Sequence, residues 1–201
     1  MAGPNPTGTV LVLGHSFISR LEQYVRKDER CWNVGLRSDM INMTGFPGGT
    51  TSNLINRLQR GDIMAGKRTV CLQIGGNCLS RPENTPDVVV RNIANLVGIL
   101  ETEYGVQCVV VSELFRRLKT RQHKKDVCVD IYNTRITQTN SLLRDVISQL
   151  PGCGFWTHGA HIWNEFELYG ADGVHFKDMK PYFKYMKGCV LLALRMLNGD
   201  A

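Results

Sequence analysis

Four polar residues of this chain have the types that acyl transfer needs, and they occur where predicted strands or turns end. Ser16 and Asn77 each follow an apolar run, and Asp172 and His175 lie three residues apart near the end of the sequence. A serine hydroxyl becomes a good nucleophile when a histidine takes its proton, and a carboxylate fixes the tautomer of that histidine. An asparagine amide can stabilise the oxyanion of the tetrahedral intermediate. These types predict a hydrolytic site if the fold brings them together.

Each of these residues also has a simpler explanation. Ser16 could be the N-cap of a helix, with its hydroxyl accepting from a backbone N–H. Asn77 follows two glycines and could be a turn residue, and Asp172-Gly173 is a common turn dipeptide. The pair Gly48-Gly49 could be a permissive turn or a source of a backbone donor. None of these signals is specific alone, so the elements that position them decide.

The predicted elements alternate between strands and helices. Apolar runs predict five strands, at 9–13, 40–43, 69–74, 107–112 and 153–156, and apolar residues at helical spacing follow each of them. Alternation of this kind predicts a three-layer α/β/α fold with a five-stranded parallel sheet, for which we favour the flavodoxin-like order 2-1-3-4-5. In that order the polar residues above share one edge of the sheet. Four turn signals that follow four predicted strands favour a site over chance.

The charge of the chain is concentrated in one loop. The net charge is +6, and the same number of cations falls between positions 116 and 125, after the fourth predicted strand: Arg116, Arg117, Lys119, Arg121, Lys124 and Lys125. This basic loop could be a solvated segment, or a rim that binds an acidic ester, a lipid headgroup or nucleic acid. His158 and Trp163 could line a substrate pocket beside it or only cap the core.

Length and composition predict one domain in a reducing compartment. We expect residues 1–8 to form a disordered lead and residues 9–201 to form a single domain. No signal peptide and no apolar run near 20 residues is apparent, and the seven cysteines form no Cys-x-x-Cys pair. These features predict an intracellular, cytoplasmic protein without a structural zinc site.

Four segments resemble, in order, the motif blocks of the SGNH (GDSL-like) hydrolases. They are Gly14-His-Ser-Phe17, Gly45-Phe-Pro-Gly-Gly-Thr-Thr51, Gly75-Gly-Asn77 and Asp172-Gly-Val-His175. The resemblance spans nearly the whole chain, and the two glycines followed by threonines resemble the acetylhydrolase branch. It implies a serine esterase that works through an acyl-enzyme and needs neither metal nor cofactor.

The resemblance also implies roles for individual residues. Ser16 would be the nucleophile, His175 the base and Asp172 its orienting carboxylate. The backbone of Ser16 and Gly49 and the side chain of Asn77 would form the oxyanion hole.

Two positions depart from the family pattern. His15 and Cys78 stand where the family usually has aspartates. Two hypotheses follow, an active esterase on a small or lipid-like ester, and a weakened module that binds nucleic acid or another anion through loop 116–125.

Overall fold

A five-stranded parallel sheet forms the centre of the protein in the computed structural model, which describes residues 9–36, 41–121, 126–159 and 166–200. The strands are β1 (Thr9–Gly14), β2 (Ile41–Gly45), β3 (Lys67–Gln73), β4 (Cys108–Ser112) and β5 (Cys153–Trp156). They are arranged in the order β2-β1-β3-β4-β5, and every neighbouring pair is parallel. This confirms the predicted flavodoxin-like order.

In the described part of the chain, six α-helices and three short 3-10 segments connect or follow the strands. The α-helices are α1 (Ser16–Val25), α2 (Thr51–Leu58), α3 (Gly76–Leu79), α4 (Pro86–Thr102), α5 (Val129–Ile147) and α6 (Lys180–Asn198). The 3-10 segments are Glu29–Gly35, Asp62–Met64 and Phe166–Leu168. Within the described ranges, no helix has the length and apolar character needed to cross a membrane.

The helices cover both faces of the sheet and bury a separate apolar layer on each. Because side chains alternate along a strand, Leu11 and Leu13 of β1 face α2, α4 and α5, whereas Val10 and Val12 face α1 and α6. The strands are therefore apolar on both faces, which explains why they appear in the sequence as continuous apolar runs.

The element boundaries differ by a few residues from those that periodicity predicts. Helix α4 begins at Pro86 and is capped by Thr85, whose hydroxyl accepts from the Val88 N–H. Helix α5 begins at Val129 because Cys128 already has the extended conformation of a cap. The predicted disordered lead at 1–8 lies outside the described residues.

Two glycines allow close backbone packing at this edge of the sheet, Gly14 between β1 and β3 and Gly45 between β2 and α1. A Cβ at Gly14 would overlap the Gln73 carbonyl oxygen of β3, and a Cβ at Gly45 would overlap the Ser19 backbone of α1. The first turn of α1 consequently sits at the carboxyl edge of the sheet, between the ends of β2 and β3. This places Ser16 at the point where parallel sheets bind ligands.

Candidate active site

Ser16, His175 and Asp172 form a continuous hydrogen-bonded chain. Ser16 Oγ lies 2.7 Å from His175 Nε2, and His175 Nδ1 lies 2.8 Å from Asp172 Oδ2. The other carboxylate oxygen, Oδ1, accepts from the backbone N–H groups of Val174 and His175, at 3.0 and 2.9 Å. The carboxylate is therefore held by its own turn, and the imidazole is aimed at the serine.

This geometry defines the tautomer and charge of His175. An ionised carboxylate only accepts, so the proton of the ring lies on Nδ1 and leaves Nε2 to accept from the Ser16 hydroxyl. Burial lowers the pKa of His175, the hydrogen bond to Asp172 opposes this, and the charges of Arg20 and Arg117 lower it further. His175 is consequently neutral near pH 7, the state that a general base requires.

The Asp172 carboxyl is ionised over the whole working range of pH. Desolvation raises its pKa, but hydrogen bonds from the His175 backbone and ring and from the Val174 N–H outweigh it. The pKa of Asp172 therefore lies well below its usual range. An ionised Asp172 can stabilise a cation on His175.

His15, and not Ser16, caps helix α1. His15 has an extended backbone, and its Nδ1 accepts from the Phe17 N–H at 3.5 Å, whereas Ser16 is the first helical residue. Burial, and then the charges of Arg117 and His175, lower the pKa of His15 to about 3. The first departure from the family pattern thus supplies a neutral cap, and the Ser16 hydroxyl is left to His175.

Asn77 lies buried beside Ser16 at the start of α3, after the end of β3. Its Nδ2 donates to the Gly49 carbonyl at 3.0 Å, and its Oδ1 accepts from Arg117 Nη2 at 3.0 Å. An amide nitrogen carries two hydrogens, so one remains for a ligand in the cleft. Asn77 therefore lines the same cleft as Ser16, with its amide nitrogen able to donate once more.

The resemblance implies a backbone donor at Gly49, but in the structure this N–H is bound within a turn. The Gly49 N–H donates to the Phe46 carbonyl at 2.9 Å and closes a four-residue turn. Pro47 and Gly48 are the central residues of that turn, and Gly48 has a φ of +74°, as a type II turn requires. Gly48 lines the cleft beside Ser16, and its N–H makes no hydrogen bond to a described residue. Gly48 therefore has a backbone N–H that is available to a ligand in the cleft.

Cys78, the second departure, is buried next to Asn77. Its Sγ lies 3.7 Å from Thr51 Oγ1, and burial raises the pKa of the thiol. The side chain is an uncharged packing group where the family usually has an aspartate.

The described cations of the basic loop bind the protein itself. Arg116 donates to Thr137 Oγ1 at 3.3 Å, Lys119 donates to the Ala171 carbonyl at 3.1 Å, and Arg121 pairs with the buried Asp126 at 3.1 Å. Arg117 is itself buried, with 5% of its surface exposed. Of these four, Arg117 and Arg121 line the cleft, whereas Arg116 and Lys119 do not. Lys124 and Lys125 lie outside the described residues.

His158 does not line the cleft either. It is buried between Phe115 and Tyr185, with ring centroids at 4.0 and 4.9 Å, and its Nδ1 lies 2.8 Å from Glu113 Oε2. His158 therefore belongs to the core under α6, which is the second of the two alternatives that the sequence left open. Trp163, the other predicted aromatic of this segment, lies outside the described residues.

The site opens into a cleft of about 570 Å³. It contains the three residues of the hydrogen-bonded chain and the two proposed donors Gly48 and Asn77. The remaining lining residues are Ser19, Arg20, Gln23, Pro47, Arg117, Arg121 and Val174. Arg20 was missed at the sequence level, although its position one helical turn after Ser16 was a usable signal. Among the described residues, no three His, Cys, Asp or Glu side chains converge as metal ligands would.

Comparison with solved structures shows which fold this is. A carbohydrate acetylesterase family member from Sinorhizobium meliloti matches with a TM-score of 0.69 and 20% identity, over 96% of this chain and 100% of that one. A GDSL-like lipase from Bacteroides thetaiotaomicron matches with a TM-score of 0.68 and 15% identity, over 97% and 92%.

A third match is a variant of an acetyl-xylooligosaccharide esterase from Geobacillus, with a TM-score of 0.65 and 15% identity, over 94% of each chain. Neither a protein-family model nor a curated protein matches the sequence. The parallel order, the position of the site and these neighbours agree, and the chain has the fold of the SGNH (GDSL-like) hydrolases.

Proposed function

We propose that the protein is a serine esterase that cleaves a carboxylic ester, with an acetyl or similarly small acyl group, through an acyl-enzyme on Ser16. The observation that carries this proposal is the chain from Ser16 Oγ through the His175 ring to Asp172, with separations of 2.7 and 2.8 Å. Both distances lie within the range for a nucleophile, its base and an orienting group. The names of the structural neighbours support the same class of reaction.

In the proposed reaction the Ser16 hydroxyl attacks the ester carbonyl while His175 Nε2 takes its proton. The new C–O bond gives a tetrahedral intermediate, whose oxyanion accepts from the Ser16 and Gly48 N–H groups and from Asn77 Nδ2. His175 returns the proton to the departing alcohol as the acyl–oxygen bond breaks. Water then attacks the acyl-enzyme in the same way and releases the acid.

A fluorophosphonate probe tests the nucleophile, because such probes phosphonylate a serine only when a base activates it. We expect the folded wild type to be labelled and Ser16→Ala to remain unlabelled. Ser19→Ala should keep the label, since Ser19 lies in the same cleft and on the same helix but makes no hydrogen bond to His175. No label on folded wild type would reject the proposal.

The alternative, binding of nucleic acid or another anion through loop 116–125, has less support. The four described cations of that loop bind groups of the protein, and one of them is buried. Salt-dependent affinity for an oligonucleotide that is lost in Lys124→Gln/Lys125→Gln would revive it.

A further inference from the structure

We propose that Arg117 is a positioning residue that orients the Asn77 amide and strengthens it as a donor to the oxyanion. The inference rests on the proposed esterase function. It goes beyond that function because it assigns a second layer behind the oxyanion hole, formed by a residue of the basic loop.

The contacts of Arg117 leave the Asn77 amide one orientation. Arg117 Nη2 donates to Asn77 Oδ1 at 3.0 Å, and Nη1 donates to Ser80 Oγ at 2.7 Å. A guanidinium has donors only, so the amide oxygen must face Arg117. The amide nitrogen then faces the Gly49 carbonyl on one side and the cleft on the other. A flipped amide would place an oxygen against the oxyanion and repel it.

The protein holds this guanidinium rigidly. Its carbon lies 4.4 Å from the centroid of the Tyr132 ring. The Arg117 backbone is bound at both polar groups by one side chain of α5, since its N–H donates to Asn133 Oδ1 and its carbonyl accepts from Asn133 Nδ2, both at 2.9 Å. Arg117 is thus fixed at its backbone, at the planar face of its guanidinium and at two guanidinium nitrogens. The side chain is therefore preorganised.

The same guanidinium is a buried charge without a carboxylate partner among the described residues. Burying an unpaired charge is costly, and such an arrangement is typical of functional sites. Here the charge withdraws electrons from the Asn77 carbonyl and makes the opposite N–H a stronger donor. When negative charge develops on the ester oxygen, this interaction becomes more favourable, so the effect favours the transition state over the bound substrate.

The loop that carries Arg117 also contacts the base side of the site. The Leu118 N–H donates to the Gly173 carbonyl at 2.7 Å, next to Asp172. A change at Arg117 could therefore act through loop structure alone, and the experiment must separate the two roles.

Steady-state kinetics with p-nitrophenyl acetate provide the test. We expect Asn77→Ala to lower kcat by about 10²–10³-fold, as loss of one oxyanion donor does. Arg117→Met should lower kcat by a large part of that factor with little change in KM. In the Asn77→Ala background, Arg117→Met should cost little more, because residues that act as a unit are not additive. Independent, multiplicative losses would overturn the proposal.

Arg117→Lys and the pH profile give a second readout, which also serves if the Met variant folds poorly. Lysine keeps the charge but lacks the planar fork that reaches Asn77 and Ser80 together. We expect Arg117→Lys to lower kcat without moving the acidic limb of the kcat/KM profile, because the charge near His175 is kept. Arg117→Met should shift that limb to higher pH, because the Arg117 charge lowers the pKa of His175. A Lys variant with wild-type kcat would overturn the proposal.

Arg68→Met is the matched control. Arg68 lies near the start of β3, at the opposite edge of the sheet, where it donates to Gln107 Oε1 at 3.0 Å. It should retain the wild-type kcat. If the wild type neither takes the probe nor hydrolyses the ester, the proposed function and this inference fail together. If the wild type is active and the losses at Asn77 and Arg117 multiply, only this inference fails.

Discussion

Arg20 and His175 contact the same oxygen of Asp172. Arg20 Nη2 lies 3.3 Å from Asp172 Oδ2, and His175 Nδ1 lies 2.8 Å from it. The imidazole is thus close to a carboxylate that favours its protonation and to a guanidinium that disfavours it. Because the arginine charge lowers the pKa of His175, Arg20 helps to keep the proposed base neutral.

We predict that Arg20→Gln shifts the acidic limb of kcat/KM to higher pH. The base works only when unprotonated, and removing a nearby positive charge raises its pKa, so activity is lost earlier as the pH falls. Both partners are more than two-fifths exposed, so solvent screens the effect. The shift should therefore be small, since exposed charges interact weakly in water. A pH series with p-nitrophenyl acetate measures it.

Arg26→Gln is the control for that experiment. Arg26 is the C-cap of α1 and, like Arg20, pairs with a carboxylate, that of Glu22 at 2.6 Å, but it does not line the cleft. Its pH profile should match that of the wild type. If both variants shift the limb equally, the effect belongs to the total charge and not to the contact with Asp172.

The elements and the side chains of the candidate site were predictable because they depend on local pattern and chain order. Strands buried on both faces appear as continuous apolar runs, and parallel strands bring the residues that follow them to one edge. Ser16 and His175, 159 positions apart, could be assigned to one site from these two rules before any contact was known.

Contacts between two loops were not predictable in this way. The sequence contains two consecutive glycines, and only the turn closed by the Gly49 N–H shows that Gly48 is the one facing the cleft. The run of charges predicted an exposed loop, because such runs are usually solvated. Arg117 nevertheless lies in the interior, where Asn133 and Asn77 bind it. Such pairs join residues 16 and 40 positions apart, for which periodicity carries no signal.

Gly45→Ala should destabilise the fold strongly, whereas Gly98→Ala should stabilise it. A Cβ at Gly45 would overlap the backbone of α1 at Ser19, which cannot move aside as a flexible side chain can. We expect a loss near the upper end of the usual 1–3 kcal/mol for overpacking, about 3 kcal/mol. Gly98 lies inside α4 with nothing within 4 Å of its added Cβ, so alanine should gain about 0.8–1.0 kcal/mol.

Urea unfolding of the two glycine variants gives both free energies. A small cost at Gly45 would mean that α1 can move away from the sheet. In that case the position of Ser16 would not depend on this close approach.

Asn140→Ala should cost more stability than Asn133→Ala. Each asparagine binds both backbone groups of one residue in the segment after β4, Leu114 for Asn140 and Arg117 for Asn133. Asn140 is 3% exposed, so its removal leaves a buried N–H and a buried carbonyl unsatisfied, at about 1–3 kcal/mol each. Asn133 is only half-buried, and water can replace it. Urea unfolding orders the two variants, and equal losses would contradict the argument.

His15 should make the fold sensitive to mild acid. Burial and two nearby charged or ionisable groups, Arg117 and His175, lower its pKa from 6.5 to about 3 in the folded state, so between these values the unfolded chain binds more protons. Stability is therefore fully present above pH 6.5 and falls with decreasing pH, by up to about 1.4 kcal/mol per pH unit from this group.

His15→Asn removes that titration and keeps a side chain that can cap α1. Between pH 6.5 and 4.5, the unfolding free energy of His15→Asn should fall less steeply than that of the wild type. The two slopes should differ by at most about 1.4 kcal/mol per pH unit. Asp172 does not interfere, because its lowered pKa affects stability only below its ordinary value of 3.8. Urea titrations at three pH values in this window measure the slopes. Parallel profiles for the two proteins would show that His15 gains a proton in the folded state, which the buried cap of α1 does not allow.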